Sequence, residues 1–211
     1  MTSRLSIELE GGQQRVGPFQ ENDVQNSCKF YMLTIIIDER TISNPSEFRT
    51  VMVFISMDVN FPEKWDENYQ RGTDGWDLGR PTPLFQQLLL RQALPPGRII
   101  VLGAGRGYDA REFARYGFQV TAVDFSSHAV QEMHRLANPD APVEILQHDI
   151  FMLPESFNQS FDYVLEYTCF CAIDPTRRAA YADLVARLLK LGGMYIDLAF
   201  PLDGRKGGPP F

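Results

Sequence analysis

Gly103, Gly105 and Gly107, together with Asp124, are the residues whose types and spacing could do chemistry. The glycines follow Ile99-Ile100-Val101-Leu102, an apolar run after a Pro-Pro-Gly break that reads as a strand buried on both faces. Lacking a Cβ, they let the backbone turn sharply and approach a ligand closely. Residues 108–116 then carry Ala110, Phe113 and Ala114 at helical spacing, with Gly117 as the stop. A second strand, 119–123, runs into Asp124. Strand, glycine turn, helix, strand and terminal acid is the plan of a Rossmann-type nucleotide site, the acid holding ribose hydroxyls. The glycines without the acid would read as a tight connection in any α/β protein.

The spacing narrows the ligand. G-x-G-x-G is not the dinucleotide fingerprint G-x-G-x-x-G/A, whose last position here holds Tyr108. It resembles motif I of class I S-adenosylmethionine-dependent methyltransferases, whose cofactor has no phosphate. That resemblance favours S-adenosyl-L-methionine over NAD(P), and an NAD(P)-dependent Rossmann oxidoreductase stays as the alternative.

The elements that must position these residues follow from pattern. Around Trp65 and Tyr69, at i and i+4, the spacing predicts a short helix broken by Gly72. Thr82 and Pro83 read as N-cap and first residue of a helix reaching about residue 93, burying Leu84, Phe85, Leu88 and Leu89. Ser126 caps a helix with Ala129, Val130 and Met133 inward, leaving His128 and His134 on its outer face. Strands are predicted at 143–147, before His148-Asp149, and at 161–167. Asp174-Pro175 opens a helix with Leu184, Val185, Leu188 and Leu189 inward. Leu191-Gly192-Gly193 is expected to end it before a fifth strand at 194–200. The alternation implies α/β architecture: a mostly parallel sheet with helices on both faces and right-handed crossovers.

Composition bounds the rest. The 211 residues are 44% hydrophobic and 22% charged, enough for one core with an appendage. A net charge of −7 argues against a nucleic-acid partner. Cys28, Cys169 and Cys171 form no metal spacing and no disulfide framework, so no metal is expected and the last two read as buried free thiols. No apolar run reaches membrane-spanning length and no signal pattern opens the chain, which predicts a cytoplasmic protein without membrane contact. Residues 1–56 contain β-prone runs at 30–37 and 51–55 but no visible chemistry. The expected division is therefore an N-terminal extension, 1–56, and a catalytic domain, 57–211. The extension is open between an accessory layer, a disordered segment and sequence lying upstream of Met57.

Four stretches in order carry a family resemblance: Trp76-Asp77-Leu78-Gly79-Arg80-Pro81-Thr82-Pro83, the glycine strand, Phe170-Cys171-Ala172-Ile173-Asp174-Pro175 and Gly207-Gly208-Pro209-Pro210-Phe211. Together they resemble the thiopurine methyltransferase superfamily, nearest its plant-type thiol and halide methyltransferases. The resemblance implies a Rossmann-like class I methyltransferase fold and methyl transfer from S-adenosyl-L-methionine to a small soft nucleophile: a thiol, hydrosulfide or halide. Residue by residue it implies cofactor contacts at Trp65, Tyr69 and Trp76 on a lid, at Gly103 and Gly105, at Asp124, at Asp149 and Ile150 beside the adenine, and at Tyr167. Tyr69 stands where those relatives have a second Trp, and Arg106 where they have a glycine. The family sheet has seven strands, so this sequence is expected to lack the last two. Its fifth strand would then expose an edge prone to self-association, with a non-catalytic cofactor-binding fragment as a further alternative.

No residue reads as a dedicated base, so the catalytic set stays unknown. A soft acceptor needs none, since a thiol of pKa near 8.5 is partly ionised at neutral pH and a halide carries no proton. The sequence offers Arg80, and secondarily Arg106, to draw an anionic acceptor in, unless Arg80 pairs with Asp77.

Overall fold

The computed structural model describes residues 59–198. The runs at 30–37 and 51–55 and the Gly-Gly-Pro-Pro segment lie outside them. In order the elements are α1 (Pro62–Arg71), α2 (Pro83–Leu90), β1 (Arg98–Leu102), α3 (Tyr108–Arg115), β2 (Gln119–Asp124), α4 (Ser127–Arg135), β3 (Val143–Gln147), β4 (Phe161–Tyr167), α5 (Cys169–Ala172), α6 (Arg178–Leu188) and β5 (Leu189–Leu198). The five strands form one parallel sheet in the order β3-β2-β1-β4-β5. The chain winds outward from β1 to β3, then crosses back to add β4 and β5 on the other side. A crevice opens at the carboxyl ends of β1 and β4, where the winding reverses.

The period-2 alternation of the strands divides the core between two faces. Ile99 and Val101 of β1, with Val120 and Ala122 of β2, pack under Phe85, Phe113 and Met133 of α2, α3 and α4. Ile100 and Leu102, with Val123 and Val164, pack against Tyr181, Leu184 and Leu188 of α6. This is the expected Rossmann-like α/β sheet covered on both faces. Among the described residues no helix is long and apolar enough to cross a membrane.

Several expectations are corrected. α2 ends at Leu90, and Leu84 is 51% exposed while Phe85 and Leu89 are buried. Thr82 occupies the N-cap position without capping. Its N–H and Oγ1 instead donate to Asp109 of α3, at 2.6 and 2.8 Å, and tie the two helices together. Leu191-Gly192-Gly193 is not a helix stop. α6 runs straight into β5, and the glycines lie where the register slips, Phe161 facing Leu189 but Tyr163 facing Met194.

Phe113 is fully buried, its ring 5.1 Å from Phe118 and 6.3 Å from Phe85. Phe113→Ala is expected to lower stability in urea unfolding by about 3–5 kcal/mol. Leu84→Ala, on the exposed side of α2, should stay within about 0.5 kcal/mol of the parent chain.

Candidate active site

The crevice holds a cavity of about 330 Å³. Gly103 sits at its floor with φ +61°, and a Cβ there would lie 2.7 Å from Cys169 Sγ, so only glycine fits. The turn folds back on the sheet: Ala104 N–H donates to the Val123 carbonyl at 3.0 Å, and Gly107 N–H to the Ala104 carbonyl at 2.9 Å. This brings Gly105 N–H to 2.8 Å from Asp124 Oδ2, while Ser126 N–H donates to Oδ1 at 2.9 Å. Gly105 thus faces the acid and a smaller adjoining cavity, not the main one. Burial pushes the Asp124 carboxyl up to about 6, against the pull of its backbone N–H bonds.

A lid closes over this floor. Trp65, Tyr69 and Trp76 line the cavity together, Trp76 meeting the edges of Trp65 at 5.4 Å and of Tyr69 at 5.8 Å. Asp66 anchors α1 by accepting from the Ser126 and Ser127 hydroxyls and from His128 N–H at the start of α4. Burial pushes its carboxyl up, but those bonds outweigh it and hold the group below the usual range. His128 is not the solvated residue its helix position predicts, for its ring stacks on Tyr69 at 5.9 Å.

The far walls complete the chamber. Asp149 Oδ1 accepts from Phe151 N–H at 2.9 Å and starts the 3₁₀ turn Ile150–Met152, which sets Ile150 and Phe151 on the cavity. Opposite, Tyr167 and Thr168 end β4, with Thr168 at φ +60°. Buried Glu166 holds that corner, its Oε2 accepting from Cys169 and Phe170 N–H at 2.6 and 3.0 Å. Burial, then nearby Asp197, raises the Glu166 carboxyl. Burial also pushes the Cys169 thiol well up, so it stays protonated.

Of the residues singled out in sequence, Trp65, Tyr69, Trp76, Gly103, Asp124, Asp149, Ile150 and Tyr167 share the main cavity. Arg80 does not. It is exposed and lines the smaller cavity of about 60 Å³, which borrows Tyr69, Trp76, Gly103 and Tyr167 from the larger one. The pairing expected of Arg80 with Asp77 does not hold, and neither does Arg106 as a second anion-drawing residue. Asp77 is taken by Arg106, which also grips Asp74, so Arg106 is a committed cation and not a free one. The cation lining the main cavity is Arg177, which sequence reasoning passed over. Its guanidinium lies 3.8 Å from the Phe151 ring centroid and 3.7 Å from Asp149, and it donates to Asn60 Oδ1 at 3.0 Å. Nothing local marks Arg177, Glu166 or Asp66, because their partners are 26 or more residues away or reached through a short turn.

The residues fit a nucleoside with a soft cationic tail. Each Asp124 oxygen keeps a lone pair beyond its backbone partner, the adjoining wall is apolar, and the roof is aromatic. Comparison with known proteins agrees. A family model for thiopurine S-methyltransferase matches residues 61–211. A probable thiol methyltransferase 2 of Arabidopsis thaliana is 37% identical over 158 residues, 74% of this chain and 69% of the relative. A thiocyanate methyltransferase 1 of Brassica oleracea is 34% identical over 150 residues, 70% of this chain, which spans only 66% of that relative's length. Among solved structures, a Burkholderia thailandensis 1,6-didemethyltoxoflavin-N1-methyltransferase bound to S-adenosylhomocysteine superposes with a TM-score of 0.57, covering 88% of this chain and 74% of its own, at 20% identity. At that identity the likeness speaks for the fold alone. The chain belongs to the thiopurine S-methyltransferase family, which uses S-adenosylmethionine as methyl donor.

Proposed function

We propose that this chain transfers a methyl group from S-adenosylmethionine to a small soft anion: a thiolate, hydrosulfide or halide. The observation that carries the reading is Asp124, buried at the end of β2 with both oxygens anchored from behind and turned to the cavity. Asp124 would accept from two ribose hydroxyls. Ile150 and Phe151 would sandwich the base, with Asp149 at its edge. Bound there, the cofactor supplies an electrophilic methyl on a sulfonium whose charge disperses as the bond breaks. Trp65, Tyr69, Trp76 and Tyr167 would face that charge, each worth about 0.5–2 kcal/mol when desolvated. The lid would exclude water and hold the acceptor in line, which is where most acceleration arises for a nucleophile needing no base. Cys169, protonated within the same cavity, does not compete for the methyl group.

The small cavity beside Trp76 and Tyr167 suits a compact acceptor, and Arg80 at its rim supplies a positive charge. The family match from residue 61 onward supports reading 57–211 as the methyltransferase domain and 1–56 as an extension. The Cys169 thiol, kept in the cavity wall, suits a cytoplasmic, reducing setting. Self-association through β5 belongs to the same reading. Among the described residues β5 pairs only with β4, and it exposes Leu191, Met194 and Tyr195. Sedimentation velocity should show the weight-average mass rising with concentration, and a monomer at all concentrations would remove that edge as a contact.

Two further measurements test the site. Asp124 has its folded pKa raised from 3.8 to about 6, so without ligand its stability contribution is intact below about 3.8 and lost as pH rises through 6. Ribose hydroxyls prefer the ionised form and reverse that cost. S-adenosylhomocysteine affinity, measured by calorimetry, is therefore expected to rise up to about tenfold per pH unit below 6 and level off above it. Asp124→Asn should flatten the profile and weaken binding at pH 7 by about 1.5–3 kcal/mol. Equal affinity at every pH in both proteins would take Asp124 out of the site. In a methyl-transfer assay, Arg80→Ala should raise KM for hydrosulfide and iodide several-fold while leaving KM for S-adenosylmethionine unchanged. An unchanged acceptor KM would return Arg80 to the solvent.

A further inference from the structure

We propose that Arg106 is a positioning residue: reaching out of the glycine loop to Asp74 and Asp77, it latches the lid and sets Trp76 against Tyr69. The proposal rests on the cavity being the S-adenosylmethionine site and adds how that site is held shut.

The geometry is a turn clasped at both ends. Asp77 N–H donates to the Asp74 carbonyl at 2.8 Å, which makes Asp74-Gly75-Trp76-Asp77 a four-residue turn with Trp76 in its centre. The carboxylates at its two ends converge on one atom, Nη1 of Arg106. The three side chains are 18%, 11% and 12% exposed, so water screens them poorly. Two carboxylates brought this close repel each other unless a cation lies between them. Arg106 supplies it, and its plane also lies 4.9 Å from the centroid of Tyr69. Burial alone would pull the guanidinium down, but Asp77 and Asp74 drive it further up, so it is charged at any working pH.

Arg106 is held at its other end too. Its carbonyl accepts from Arg111 Nη1 at 2.7 Å, and its neighbour Gly105 donates to Asp124. One short segment therefore carries the N–H that holds the acid for the ribose and the cation that holds the aromatic roof. Opening the lid to exchange cofactor must break both ion pairs and the contact with Tyr69. The latch acts on cofactor residence and on the placement of Trp76.

The chain contains two tryptophans, Trp65 and Trp76, and both lie on this wall, so intrinsic fluorescence reads it directly. In the full chain, Arg106→Ala is expected to shift emission to longer wavelength and to increase acrylamide quenching. Stopped-flow dissociation of S-adenosylhomocysteine should quicken about tenfold, the size of one lost charge-assisted contact. Arg106→Lys should recover part of each effect, since a point charge meets the carboxylates without the planar fork. In Asp74→Asn/Arg106→Ala the spectral shift should be smaller than in Arg106→Ala, because one repelling carboxylate is gone. If Arg106→Ala does not fold, Asp74→Asn alone should still loosen Trp76 and speed dissociation to a lesser degree. Wild-type emission, quenching and dissociation in Arg106→Ala, or in Asp74→Asn where that is the variant that folds, would overturn the latch. A parent chain that fails to bind S-adenosylhomocysteine would overturn the cofactor reading instead, and the emission of the ligand-free variants would still decide whether Arg106 holds the turn.

Discussion

A carboxylate taken out of water is the constraint on which this site depends. Asp124 ends β2 with 7% of its surface exposed, and an ionised acid there is costly unless donors surround it. Two arrive from the backbone, Gly105 on one side and Ser126 on the other. Each requirement shapes the chain beyond it. Gly105 N–H can reach back to Asp124 only because the turn after β1 runs through left-handed conformations, as at Gly103, where a Cβ would strike Cys169. Ser126 N–H is placed by the start of α4, where Ser126 Oγ also accepts from Ala129 N–H as the helix cap. The same serine donates its hydroxyl to Asp66, which extends the chain of bonds from the acid to the lid.

The lid is therefore attached to the floor at two charged points of opposite kind. Asp66 of α1 meets the N-terminal turn of α4, where unpaired N–H groups and the helix dipole favour a negative charge. Arg106, on the glycine loop, meets two acids of the lid turn. Between these points lie Trp65, Tyr69 and Trp76, packed edge to face. Tyr69 is already engaged by the His128 ring and the Arg106 guanidinium, which leaves the tryptophans as the aromatic surface that a sulfonium would suit.

The floor was legible in the sequence, and the reason is locality. β1, the glycine turn, α3 and β2 follow from periodicity and glycine chemistry within about two dozen residues, and Asp124 is found by its place at a strand end. The lid aromatics came from the family resemblance, and the structure sets all three on one cavity. What failed depended on distant partners. Thr82 looks like a cap because its neighbours are a helix start, but its hydroxyl donates to Asp109 of another helix and accepts from no N–H of α2. His128 looks solvated on its helix, yet Tyr69 of another element covers it. The Leu191-Gly192-Gly193 stretch carries a stop signal that the sheet overrides, since pairing with β4 holds the strand through the slip.

The same division separates what is fixed from what is adaptable in this site. On the β2 and β3 side, Asp124 and Asp149 are each bound to backbone N–H groups within two residues or across the adjoining turn, so their geometry follows from the fold itself. On the β4 side, Tyr167 and Thr168 stand on a corner held by Glu166 from beneath, and the neighbouring charge, Arg80, is carried by a long side chain at the rim. A change at Arg80 alters charge and shape without disturbing a buried acid, whereas changes around Asp124 disturb the sheet end itself. A wall built on main-chain donors beside a rim built from side chains is an arrangement in which the rim can change while the wall stays constant.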